Sequence, residues 1–64
     1  MFRVFDKLKN GALVLMCSDA VVLCAWNDEY VTWRVDRDGF CYWGTYHAHD
    51  LIAAIEKFNK RSIG

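Results

Sequence analysis

Tyr30-Val31-Thr32-Trp33-Arg34-Val35 places Val31, Trp33 and Val35 on one side, and this period of two is that of a β-strand with one covered face. Directly after it, Asp36-Arg37-Asp38-Gly39 supplies the Asx and glycine residues of a tight turn, so the chain doubles back onto Phe40-Cys41-Tyr42-Trp43. Two registers are open. A two-residue turn puts Tyr42 and Gly44 on the face of Trp33. A type I turn with a glycine bulge puts Cys41 and Trp43 there instead, because a slip of one residue exchanges the faces.

On the N-terminal side, the polar break Asn27-Asp28-Glu29 leads back to Val21-Val22-Leu23-Cys24-Ala25-Trp26, which is apolar at every position and suits a strand covered on both faces. Before Ser18-Asp19 lies the run Ala12 to Cys17, and before that Asn10-Gly11, a dipeptide suited to a type I′ hairpin with Phe2 to Leu8. That register faces Leu8 with Leu13 and Val4 with Cys17. It lines one face with Val4, Leu8, Leu13, Leu15 and Cys17, and the other with Phe5, Val14 and Met16. Phe2, Phe5 and Leu8 also fit helical spacing with Gly11 as the stop, so strand and helix both stand for this segment. At the far end Asp50 can cap a helix starting at Leu51, with an apolar stripe of Leu51, Ala54, Ile55 and Phe58 and a polar one of Glu56, Lys57 and Lys60. Lys57, Lys60 and Arg61 suit the negative end of its dipole. The expected architecture is α+β: a small antiparallel sheet of about four strands with one C-terminal helix on one face, ββββα, in a single domain over residues 1–64.

Sixty-four residues leave no room for a second domain, and a chain of this size buries only about 60% of the surface it exposes when unfolded. Yet 55% of the residues are hydrophobic and 16% aromatic, so some large side chains must reach the surface, where a contiguous patch marks a partner or a second copy. Eight basic residues balance eight acidic ones, which gives no overall field towards nucleic acid or an anionic membrane. The apolar region Ala12 to Trp26 is broken by Ser18 and Asp19, is too short for a spanning helix and is not N-terminal, so neither a membrane span nor an export signal is expected. Cys17, Cys24 and Cys41 are odd in number and favour a reducing compartment, with the cytoplasm as the expected location.

His47-Ala48-His49-Asp50, with Cys41, is the closest approach to a metal-ligand set, but it lacks the paired short spacings of a zinc site, and Asp50 is claimed by the helix cap. Neither a metal nor another cofactor is expected. Cys41 beside His47 or His49 is the one conceivable nucleophile pair, and thiols inside apolar strands behave as small hydrophobes, so no catalytic residue is assigned. The aromatics carry more information. Trp26, Trp33, Tyr42, Trp43 and Tyr46, with Arg34 among them, form the candidate binding set, since such side chains serve either as core or as interface anchors. Rings on an open sheet face also suit base stacking, but the basic excess and the Lys/Arg-Gly-Phe/Tyr motif of common RNA-binding sheets are missing.

The block Tyr30-Val31-Thr32-Trp33-Arg34-Val35-Asp36, followed by Gly39, Cys41-Tyr42-Trp43-Gly44-x-Tyr46 and a helix with Ala53, Phe58 and Arg61, resembles small proteins of phages and mobile elements. Thr45 stands where such proteins often carry histidine, and His47 where an aromatic is common. The resemblance assigns no activity to any residue. It implies a setting, that of an accessory protein in a bacterial cytoplasm. By analogy it also implies a mode of action, docking onto a host protein or defence complex as inhibitors of the anti-CRISPR type do. The expectation is a non-enzymatic binder of a host protein complex. The alternatives are a nucleic-acid-binding regulator using the sheet aromatics with Arg34, Arg37, Lys57, Lys60 and Arg61, and a structural homodimer.

Overall fold

The structure is a computed structural model that describes residues 2–63. Its strands are β1 (Leu13–Cys17), β2 (Val21–Trp26), β3 (Glu29–Val35) and β4 (Cys41–Tyr46), followed by helix α1 (Leu51–Ile63). They form one antiparallel sheet in the order β1-β2-β3-β4, which is the ββββα arrangement expected from the alternation and the turn residues.

β2 is apolar throughout because both of its sides are buried. Val21 and Leu23 face α1, where they pack with Ala54 and Phe58. Val22 and Cys24 face the opposite side and join Leu8, Ala12, Val14, Val31, Trp33 and Val35. The side away from the helix is therefore not left open. The N-terminal segment crosses it, and Phe2, Leu8 and Ala12 supply part of its cover.

That segment is neither the strand nor the helix considered for residues 2–8. It is irregular, with one isolated bridge between Lys7 and Leu13 and backbone bonds from Phe5 N to Val14 O (2.7 Å) and from Val14 N to Asp6 O (2.8 Å). The turn at Asn10-Gly11 is not the two-residue type I′ turn either. Gly11 N donates to Leu8 O (2.9 Å), Leu8 N donates to Ala12 O (2.9 Å), and Gly11 takes φ +90°, so three residues form the loop. The Asn10 side chain accepts from Ala12 N at 3.0 Å, a local bond that favours this turn. The extra loop residue shifts the register by one and exchanges the faces. Leu8, Ala12 and Val14 turn inwards together, while Val4 and Phe5 are exposed. The type I′ geometry lies instead at Asn27-Asp28, both at positive φ (50° and 63°), which joins β2 to β3 and draws Glu29 into the strand opposite Trp26.

The Asp36–Gly39 turn takes the bulged form. Gly39 N donates to Asp36 O and Asp36 N to Phe40 O, both at 3.1 Å, with Gly39 at φ +83°. The Asp36 carboxylate also accepts from Asp38 N (2.9 Å) and Phe40 N (3.0 Å). Val35 consequently faces Cys41, and Cys41 joins the Trp33 side. Trp43 does not follow it. Arg34 pairs with Tyr42 and Thr32 with Thr45, so β4 carries one residue more than β3 between these pairs, and Trp43 bulges outwards.

α1 starts where Asp50 was expected to cap it, with the carboxylate accepting from Ala53 N at 3.0 Å. Ala54 and Phe58 are buried and Ile55 is half-buried, but Leu51, placed by its spacing on the same stripe, is exposed in the first turn. Among the described residues no helix is long and apolar enough to cross a membrane.

A candidate interaction site on the edge strand

The six aromatic and basic candidates divide between core and surface. Trp33 is only 5% exposed and belongs to the core, so it does not offer a contact surface. Trp26 is half-buried beside it, its ring 5.3 Å from that of Trp33 edge to face and its Nε1 donating to Asn10 O at 3.2 Å. Tyr46 completes the cluster, 6.3 Å from Trp33 and 6.4 Å from Trp26, and keeps half of its surface in solvent. These contacts are ordinary aromatic packing and anchor the end of β4.

Tyr42 and Trp43 are different. They lie on β4, which among the described residues has a neighbour on one side only, and their rings meet edge to face at 5.2 Å. Trp43 is 71% exposed and has φ +52°, a left-handed conformation that is unfavourable for a bulky side chain. Gly44 explains the geometry. The Trp33 ring lies against its backbone, and a Cβ there would come within 2.5 Å of Trp33 Nε1. The strand bends around that ring, and the bend turns Trp43 out. Phe40, at the entrance to β4, is also exposed, with the Lys9 ammonium 4.4 Å from its ring centroid. Nothing in the spacing of Phe40 separates it from an ordinary strand residue, so its exposure is not legible in the sequence.

The helix side of the same edge is basic. Arg34 faces Tyr42 across the ladder. Arg61 reaches over from α1 to Thr32 O (3.3 Å) and Thr45 Oγ1 (3.1 Å), both neutral acceptors. Burial, then the Arg34 guanidinium, lowers the pKa of Arg61 from its ordinary value, and no carboxylate is among its influences. His47, just past β4, lies 3.3 Å from Thr32 Oγ1 through Nε2. Its pKa is lowered chiefly by burial, then by Lys57 and Arg61, against the opposing pull of Asp50. Lys57 and Arg61 are thus both close enough to His47 to act on it, in a chain whose formal charges cancel.

Among the described residues no three His, Cys, Asp or Glu side chains gather to hold a metal ion. Cys41 packs on the Trp33 side at the start of β4, whereas His47 bonds to Thr32 on the helix side beyond its end, so the two do not form a nucleophile pair. Burial, with minor contributions from Cys41 and Cys17, pushes the Cys24 thiol up to about 12, and burial followed by Asp36 raises that of Cys41. Neither is an activated thiolate at neutral pH. A groove of about 760 Å³ is lined by Lys7, Lys9, Asp19 and Arg37 among others, carries both signs of charge and does not include the β4 aromatics. No family model, no curated protein and no solved structure matches this chain.

Proposed function

We propose that this chain is a non-enzymatic accessory protein of a phage or mobile element that binds a host protein complex and modulates or inhibits it. Its contact surface is the exposed edge of β4, with Tyr42, Trp43 and Tyr46 as anchors and Arg34 beside them; a defence complex of the kind that anti-CRISPR proteins block is one such target. The observation that carries this reading is Trp43. A large ring held in solvent on a left-handed residue is unfavourable in both respects, and such outliers collect where a surface is used. Open sheet edges are also common sites of strand addition. The phage or mobile-element setting is the one that the resemblance of the Tyr30 to Tyr46 block implies.

The test is retention of a partner from nuclease-treated bacterial lysate by the tagged protein and by its Trp43→Ala variant. The expected result is a stoichiometric protein partner held by the parent and lost by the variant, by about tenfold or more. Retention by neither, or equally by both, rejects the reading. A second reading, binding of single-stranded nucleic acid, is favoured by the basic cluster of Arg34, Lys57 and Arg61 next to two exposed rings. It predicts anisotropy changes with labelled oligonucleotides that weaken steeply with salt.

A further inference from the structure

We infer that the β4 edge receives an extended acidic strand of the partner protein, one in which carboxylate side chains alternate with apolar ones. The inference rests on the reading of β4 as the contact surface and adds the chemistry of what it binds. A strand laid along β4 points its side chains to the two sides of the sheet in turn on either side of the bulge at Trp43, which brings Tyr42 and Thr45 to the same side. On the helix side they meet Tyr42 and Thr45, with Arg34 opposite Tyr42, Arg61 bonded to Thr45, and Lys57 near enough to act on His47. Asp50, the carboxylate that acts on His47, accepts from Ala53 N at the start of the helix, and Asp36, which acts on Cys41, accepts from Asp38 N and Phe40 N in its own turn. On the other side they meet Tyr46 and the edge of the Trp26–Trp33 cluster. Phe40 to Tyr46 contains no charged residue, so β4 itself repels neither kind of side chain.

The same layout disfavours the two other occupants. A second copy paired antiparallel through β4 keeps its helix on the same side of the joint sheet and sets its own Arg34, Lys57 and Arg61 beside these, with like charges opposed. Nucleic acid supplies anions but no peptide groups to satisfy the free edge of the ladder.

The test titrates the isotope-labelled full chain with short synthetic peptides as long as β4, up to millimolar concentration, and follows the backbone amides of Cys41–Tyr46. The probes are a Glu/Val alternating peptide, its Lys/Val counterpart, the Glu/Val peptide N-methylated at every second amide, and a single-stranded oligodeoxynucleotide of matched charge. The Glu/Val peptide should shift the β4 amides and bind at least about tenfold more tightly than the Lys/Val peptide. N-methylation should abolish binding, and Lys57→Glu should weaken it several-fold while the far-ultraviolet circular dichroism stays unchanged. Arg34→Gln serves the same purpose if Lys57→Glu alters the fold. Absence of shifts, equal affinity for the Lys/Val peptide, indifference to N-methylation, tighter binding of the oligonucleotide at the same amides, or self-association that shifts these amides with concentration overturns the proposal. Loss of a lysate partner on Trp43→Ala without acidic preference in the peptides refutes this inference alone. Partner retention unaffected by Trp43→Ala refutes the functional reading.

Discussion

Gly44 is the residue on which the edge depends. The Trp33 ring occupies the space a Cβ at 44 would need, immediately after Trp43 with its positive φ and at the bulge of the edge strand. Replacing it with alanine forces the ring or the strand to move, and overpacking of this kind costs about 1–3 kcal/mol, readable as a lower urea midpoint for Gly44→Ala. Trp43→Gly should do the opposite, because glycine takes positive φ without a steric penalty. A gain of roughly 1 kcal/mol is expected in the same assay, together with loss of partner binding. Stability and function then part at adjacent residues. His47 adds a pH dependence. Its folded pKa lies below the unfolded value near 6.5, first through burial and then through Lys57, so folding favours the neutral ring. That contribution is complete above about pH 6.5 and is lost as the pH falls below it, since the unfolded state takes up the proton first. Urea midpoints at successive pH values from neutral into the mildly acidic range should fall for the parent, and His47→Gln should flatten the slope.

At the scale of elements, turns and bulges together set the registers of the sheet. Asn27-Asp28 makes a two-residue turn with both residues left-handed, and Asp28 is the less comfortable of the two, since glycine is the residue best suited there. Asp28→Gly should raise the thermal midpoint slightly, by the equivalent of about 0.5–1 kcal/mol, and leave the β2–β3 register unchanged in amide exchange. Much of this level could be read from the chain. The Asp36–Gly39 turn was narrowed to two forms, of which the glycine bulge is the one adopted, and the Asp50 cap stands where its side chain and the following apolar stripe place it. The Asn10-Gly11 turn could not be read correctly because a two-residue and a three-residue loop use the same residues. Whether Leu8 or Val4 faces inwards depends on what lies beneath them, which a local pattern does not contain. The bulge at Trp43 was hidden for a related reason, since its cause is a ring on the neighbouring strand.

For the whole molecule, two small cores share one sheet, and neither is large. A domain of this length has a net stability of roughly 3–10 kcal/mol, taking the usual range per residue. Phe58 is the largest buried side chain that α1 contributes, and Phe58→Ala removes about 3–5 kcal/mol. The variant should therefore unfold at a markedly lower urea concentration, whereas Trp43→Ala should leave the dispersed amide spectrum intact. From the residues alone followed the strand period, the helix and its cap, the surplus of aromatic side chains and the probability that some of them face solvent, because these depend on neighbours along the chain and on composition. Which aromatics are core and which are surface, that the N-terminal segment covers the second sheet face, and that three basic side chains, Arg34, Lys57 and Arg61, converge beside an uncharged edge strand depend on register and on contacts across the sheet. Those are set by the packing of residues far apart in the chain, where a shift of one residue reverses every side chain.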